Sequence, residues 1–169
     1  MIAFSTCWNS NRHTDGLSAI EEIQRIGFDA IEISHGLKVS LLPGIQQAIK
    51  EEKIKVFGLH NFCPSPVEVM IEAPDCYEFT SHRAFDRKRS LDLTLTTLEN
   101  AASLGAQYVV VHMGSIPMKR LSPLLEKLQK EGRGASRKYV KTKLDLIRKR
   151  KAKASFYLDR AVEALSLIE

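Results

Sequence analysis

The stretch Leu-Gly-Ala-Gln-Tyr-Val-Val-Val-His-Met-Gly-Ser, residues 104–115, decides the fold because it contains a helix end, a strand and the start of a loop. Gly105 is typical of the residue that terminates a helix. The β-branched and aromatic run at 108–111 is typical of a strand covered on both faces, as in a parallel sheet flanked by helices. His112 follows this strand at its carboxyl end, where α/β folds bind ligands. We therefore expect an α/β fold with His112 as a candidate site residue.

Three more strand and helix units precede this stretch. Alternating or continuous apolar residues predict strands at 2–8, 30–34 and 55–60. Apolar residues at helical spacing predict helices before Gly27 (Leu17, Ile20, Ile23, Ile26), at 42–52 and at 88–104 (Leu91, Leu95, Leu98, Ala101, Ala102). Residues 61–87 contain three prolines and no sustained period, which predicts a long loop. The spacing of roughly thirty residues between units is typical of βα repeats.

The last part of the chain is helical and basic. A short helix is predicted at 122–130, followed by one of ~30 residues from Tyr139 onward. Its apolar positions are Val140, Leu144, Ile147, Ala154, Leu158, Val162, Leu165 and Ile168. Residues 133–160 hold eleven basic and two acidic side chains, or +9, so the rest of a chain of net charge +5 carries −4. A solvated helix face and a phosphate-binding surface both explain this local basicity.

Composition indicates one soluble globular domain spanning residues 1–169, with the long basic amphipathic helix at 133–169. The 169 residues are 44% hydrophobic, which is ordinary for such a domain. No apolar run approaches the ~20 residues of a membrane span, and no signal peptide is evident. Cys7, Cys63 and Cys76 have no CxxC spacing and are expected to be reduced thiols. We therefore expect a cytoplasmic protein without a membrane partner.

Polar side chains fall at the carboxyl ends of the predicted strands. Glu32 lies in a covered strand, where a carboxylate must face a polar site, and His60 ends the next strand with Val56 and Gly58 on the same face. Glu32, His60 and His112 would share one rim of a (β/α) barrel. A doubly wound sheet is the alternative, but no Gly-rich phosphate loop follows strand one. Trp8 could line the pocket or the core, and we expect the remaining histidines on the surface: His13, His35 and His82.

The sequence resembles the xylose isomerase-like TIM barrels, which include sugar phosphate isomerases/epimerases and apurinic/apyrimidinic endonucleases. The stretches that carry the resemblance are 26–34, 57–60, 80–89 and 104–115. It implies a parallel (β/α) barrel, of which this chain would form about four βα units, a half-barrel. It also implies a divalent metal ion (Zn, Mn or Mg), with His60 and His112 matching zinc ligands of the endonuclease branch. Glu32 and Trp8 are the candidate substrate-binding residues.

A complete barrel needs ~250 residues, so this chain is expected to be the amino-terminal half, without the later strands that carry the family's catalytic carboxylates. The resemblance implies a sugar phosphate isomerase/epimerase-like protein that moves a proton next to a carbonyl, expected to be inactive in this short form. Two alternatives stay open: a zinc-dependent endonuclease-like phosphodiesterase, which the basic segment favours through nucleic acid binding, and a non-catalytic assembly module. The expected partners are a sugar or sugar phosphate and, because open sheet edges recruit other chains, further copies of the chain.

Overall fold

Four parallel strands in the order β1-β2-β3-β4 form the centre of the fold. The structure is a computed structural model that describes residues 2–66, 68 and 75–169. The strands are β1 (Phe4–Ser5), β2 (Ala30–Ile33), β3 (Lys55–His60) and β4 (Tyr108–Val110). The helices are α1 (Gly16–Arg25), α2 (Leu42–Lys50), α3 (Ala84–Ser103), α4 (Ser122–Lys130) and α5 (Arg137–Ser166). This arrangement confirms the predicted α/β class and a half-barrel of four βα units.

The core lies between the sheet and the helices that cover one of its faces. Ile20 and Ile23 of α1 and Ile45 of α2 are buried against strand residues such as Ile31. Helices α1 and α2 approach closely at Gly16, where an added Cβ would lie 1.9 Å from a backbone oxygen of the segment before α2. Only glycine fits at this contact.

Strand β1 is shorter than the predicted strand 2–8. After Phe4–Ser5 the chain turns into two short 3-10 helices, Thr6–Trp8 and Ser10–Arg12. The Thr6 hydroxyl accepts a hydrogen bond from the backbone N–H of Ser34 at 2.9 Å. At this point a side-chain hydroxyl of the segment after β1 takes the place of a backbone carbonyl as the hydrogen-bond acceptor for the residue after β2.

The pairing of β2 with β3 contains an irregularity that corrects the predicted face of Val56. Ile31 pairs with Val56 but Glu32 pairs with Gly58, so β3 holds one extra residue. Such a bulge changes the phase of the side-chain alternation. Val56 belongs to the same buried cluster as Ile31, on the helix side of the sheet, and does not share the face of Gly58.

Helix α3 begins four residues before the predicted start, and its buried face includes Ala101 of the predicted stripe but is otherwise mostly polar. Its buried positions include Ser90, Thr94 and Thr97, whereas Leu95 is exposed. The segment after β3 explains this difference, because its backbone and side chains need hydrogen-bond partners when they are buried. The Thr94 hydroxyl accepts from Asn61 Nδ2 at 2.8 Å, and the Thr97 hydroxyl accepts from the backbone N–H of Cys63 at 2.9 Å.

Strand β4 is not covered on both faces, contrary to the sequence-based expectation. It has three residues, its ladder partner is β3, and no second neighbouring strand occurs in the ranges that the structure describes. Tyr108 is 38% exposed, and Val109 and Val110 are half-buried. The apolar run thus forms the edge of the half-barrel.

Helix α5 extends over 30 residues and contacts the rest of the chain through one narrow face. Tyr157 and Ala164 are its buried residues, and the Tyr157 hydroxyl lies 2.7 Å from His82 Nε2. Arg160 donates to the backbone oxygen of Ser81 at 2.6 Å. The predicted apolar stripe lies on another face and is largely exposed. Among the helices described, none is long and apolar enough to cross a membrane.

Candidate metal and substrate site

One row of residues crosses all four strands on the face opposite the helices. The strand register places Ser5, Glu32, Gly58 and Tyr108 next to one another in that order. Residues paired across a parallel sheet have side chains on the same face. Glu32 and Tyr108 therefore project from the same side of the sheet, separated by a strand that carries no side chain at this level.

The absent side chain of Gly58 lets the Tyr108 ring reach Glu32. A Cβ atom on Gly58 would lie 2.3 Å from Tyr108 Cζ, so the ring occupies the space above this glycine. The Tyr108 hydroxyl donates a hydrogen bond to Glu32 Oε2 at 2.8 Å. Partial burial of the phenol, reinforced by this hydrogen bond and the carboxylate charge, raises the pKa of Tyr108. The result is a phenol held next to a carboxylate on the inner face of the half-barrel.

Three histidines meet at the carboxyl ends of β2, β3 and β4. His60 is the last residue of β3, whereas His35 and His112 each follow the end of a neighbouring strand by two residues. The ring centroid of His60 lies 4.9 Å from that of His112 and 4.6 Å from that of His35. The structure thus brings the two predicted ligand residues together and adds a third imidazole to them.

Hydrogen bonds orient the rings of His60 and His112. His60 Nδ1 lies 2.9 Å from the backbone oxygen of Asn61, and His112 Nδ1 lies 2.7 Å from Asp75 Oδ1. Because both oxygens accept, each Nδ1 carries the proton, and in the neutral ring the lone pair is on Nε2. Metal-binding histidines commonly have this carbonyl or carboxylate partner on the second nitrogen.

The imidazole nitrogens of His60 and His112 are of a type that binds divalent metal ions, but two ligands are few for a metal site. Imidazole nitrogen suits Zn²⁺ and related ions, and rings as close as those of His60 and His112 can share an ion bound ~2 Å from each nitrogen. Within the described ranges, no group of three or more His, Cys, Asp and Glu side chains is arranged to hold a metal ion. His60 and His112 are two imidazole donors, and their role as metal ligands stays a prediction.

The loop that carries His112 is tied to the loop before α3. The Thr80 hydroxyl donates to the backbone oxygen of Ser115 and accepts from its N–H, both at 3.1 Å. The same side chain occupies the space beside Gly114, where a Cβ would lie 2.1 Å from Thr80 Oγ1. These contacts hold the carboxyl end of β4 in place without crossing its open edge.

Trp8 lies at the carboxyl end of β1 and is 43% exposed. Its ring packs edge-on against Phe4 at 5.3 Å, and the Arg12 guanidinium lies 4.3 Å above it. The Arg12 side chain also donates to Glu22 at 2.9 Å. Trp8 is thus too exposed to be a core residue, and its role in substrate binding stays a prediction.

The sequence interpretation missed three residues of this site. His35 was expected on the surface, Asp75 was not singled out, and Tyr108 was assigned only to a buried run. The spacing contains a signal for Tyr108, because residues 108, 110 and 112 share one face of an extended strand. Asp75 lies 37 positions from His112 in the sequence, in a segment without periodicity, so no local pattern connects them.

Comparison with known proteins agrees with this geometry. A family model of the xylose isomerase-like TIM barrel matches residues 20–154, which is most of the chain. Searches of curated proteins and of solved structures gave no significant match. The four parallel strands and their helices are those expected of half of such a barrel. The chain belongs to the xylose isomerase-like TIM barrel family.

Proposed function

We propose that the chain supplies the histidine-bearing half of a divalent-metal-dependent isomerase or epimerase that acts on a sugar or sugar phosphate. The observation that carries this proposal is the pairing of His60 and His112, each with its Nδ1 hydrogen-bonded to an oxygen, so that Nε2 of the neutral ring is the nitrogen left for a metal ion. These two residues would hold the metal. A bound divalent ion would polarise substrate oxygens next to the carbon that exchanges a proton.

Glu32 and Tyr108 would bind the hydroxyl groups of the substrate. A carboxylate accepts two or more hydrogen bonds and a phenol can donate or accept, which matches the mixed character of a sugar hydroxyl. The bond between the two side chains at 2.8 Å fixes their positions before the substrate arrives. Such fixed positions lower the entropy cost of orientation. A cytoplasmic location accords with the three free cysteines.

A zinc-dependent phosphodiesterase of the endonuclease type is the second candidate. Lys149, Arg150 and Lys151 lie on the exposed surface of α5, and the acidic partner of the preceding Arg148 is Asp145 at 3.0 Å. Exposed lysines and arginines on one helix suit contacts with a phosphodiester backbone. This observation favours nucleic acid as a ligand but gives no catalytic group for its cleavage.

Titration calorimetry with zinc chloride tests the metal site. We expect the unchanged protein to bind zinc, and we expect His60→Ala and His112→Ala each to abolish this binding, since one ion would be held by both imidazoles. Asp75→Asn should weaken the affinity roughly tenfold by removing the carboxylate that orients His112. His13→Gln is the matched control and should bind as the unchanged protein does. Unaltered binding by the His60 and His112 double variant would contradict the proposed ligands.

Turnover and ligand assays separate the two candidate functions. We expect no turnover of ketose sugars or abasic duplex by the 169-residue chain with manganese or zinc, because four strands close no barrel. Metal-dependent turnover lost in His112→Ala would contradict this expectation. Binding of a sugar phosphate that survives a Lys149→Glu, Arg150→Glu double variant would favour the isomerase. Duplex binding lost in that variant would favour the endonuclease.

A further inference from the structure

The exposed face of α5 has the spacing of a coiled coil. Side chains recur at alternating intervals of four and three residues from Val140 through Leu144, Ile147 and Lys151, and then through Ala154, Leu158, Ala161 and Leu165. We call these eight positions the α5 seam. Seven of them are apolar. A seam of this spacing lies along one side of a helix and is the pattern by which helices pair.

The α5 seam has no covering element in the part of the chain that the structure describes. Leu144 is 60% and Leu158 62% exposed. Beside it runs a cleft of about 800 Å³, whose opposite wall includes Met113, Ile116 and Met118 from the loop after β4. The buried residues of α5, Tyr157 and Ala164, lie to one side of the seam, as do Lys153 and Arg160, which donate to backbone oxygens of other segments. The seam and the cleft together leave room for a second helix.

We propose that α5 pairs in antiparallel orientation with α5 of a second copy of this chain, along the seam. The sizes of the side chains along the seam support α5 of a second copy as the partner helix. An antiparallel alignment centred between residues 152 and 153 places Lys151 opposite the partner's Ala154 and Leu144 opposite the partner's Ala161. It also places Ile147 opposite the partner's Leu158. Each small residue then faces a long one, as interdigitating helices require.

Charge supports the antiparallel orientation over the parallel one. The positions that flank the seam in its first half are cationic: Lys141, Lys143, Arg148 and Arg150. Parallel pairing in register would place Lys143 beside the partner's Arg148 and Lys151 against the partner's Lys151. Antiparallel pairing places Arg148 beside the partner's Ser155 and Arg150 beside the partner's Tyr157. The cations that flank the seam are thus kept apart from one another in the antiparallel pair.

Sedimentation analysis across the micromolar range tests the dimer. We expect a reversible dimer for the unchanged chain, and a dissociation constant raised at least tenfold by the Leu144→Asp, Leu158→Asp double variant. Ile26→Asp, which alters an exposed apolar residue outside α5, is the control and should leave the constant unchanged. Circular dichroism confirms that each variant is folded. A monomeric unchanged chain, or an equally dimeric double variant, would overturn the proposal.

Cysteine cross-linking tests the orientation. In a background with Cys7 and Cys76 replaced by serine, Leu144→Cys and Ala161→Cys proteins are oxidised separately and as a mixture. Antiparallel pairing predicts a disulfide-linked dimer in the mixture alone, because identical positions lie ~26 Å apart along the axis. Cross-linking of each variant with itself would show a parallel dimer, and no cross-linking in the mixture would show that the seam is not the interface.

Discussion

Replacing Gly58 with alanine is the most direct test of the inner row of the sheet. An ideal Cβ at this position lies 2.3 Å from Tyr108 Cζ and 2.4 Å from Cε2. Carbon atoms in contact prefer ~3.5–4.0 Å, so the Tyr108 ring must move by more than ~1 Å. Strand β4 is an edge, and the ring is already partly exposed, so it can swing outward. The hydrogen bond to Glu32 is then lost.

The expected cost of Gly58→Ala is about 2 kcal/mol of unfolding free energy. Overpacking contributes ~1–3 kcal/mol in well-packed sites, and the partly exposed ring places this one at the lower end. The lost hydrogen bond contributes about 1 kcal/mol. Tyr108→Phe removes only the hydroxyl and should cost about 1 kcal/mol on the same reasoning.

A double-mutant cycle separates this contact from any intrinsic effect of alanine. In a Tyr108→Ala background the added methyl group meets no ring, and Gly58→Ala should be neutral or stabilising by ~0.5 kcal/mol because glycine is unfavourable in strands. Urea unfolding followed by circular dichroism gives the four free energies. A coupling of about 2 kcal/mol is expected. Equal destabilisation by Gly58→Ala in both backgrounds would refute the proposed contact.

Two further predictions follow from shifted pKa values. Hydrogen bonds from His13, Asn9 and Arg12 lower the pKa of Glu22 to about 2, so its contribution to stability is present above pH ~4.5 and lost as the pH falls toward 2. The urea midpoints at pH 3 and pH 7 should therefore differ less in the Glu22→Gln variant than in the unchanged protein. The same pH dependence of the midpoint in both proteins would contradict this. Burial raises the pKa of the Cys63 thiol to about 12, so the stability it contributes is lost as the pH rises from ~9 to 12. A thiol reagent at pH 8 should label exposed Cys7 in the folded protein and Cys63 only after unfolding; equal labelling rates would argue against the buried position.

Sequence periodicity predicted the elements whose pattern is set locally. Strand β3 and helix α4 have the predicted bounds, because a turn residue or a change of period marks each end. The pairing of His60 with His112 was also predictable, since carboxyl ends of neighbouring parallel strands meet at one edge. His35 follows its strand in the same way, so the same argument applied to it, and the prediction failed because His35 was assigned to a surface loop.

The parts that sequence reasoning missed depend on contacts between distant segments. The buried face of α3 is polar because the segment after β3 presents Asn61 and the backbone of Cys63 to it. The leucine spacing therefore missed the polar part of the buried face, although the helix and the burial of Ala101 were predicted. The side of Val56 depends on one extra residue in β3, which is visible only when the register with β2 is known.

The extra residue in β3 limits how this half-barrel could be recombined with strands from other barrels. Before the irregularity Val56 faces the helices, and after it Gly58 faces the interior. A donor strand of regular alternation, spliced in at Lys55, would carry its histidine to the helix side and remove it from the rim. A replacement for β3 alone must therefore contain the same extra residue. If the chains are instead joined after β4, all four strands are kept, and each side chain stays on its present face of the sheet.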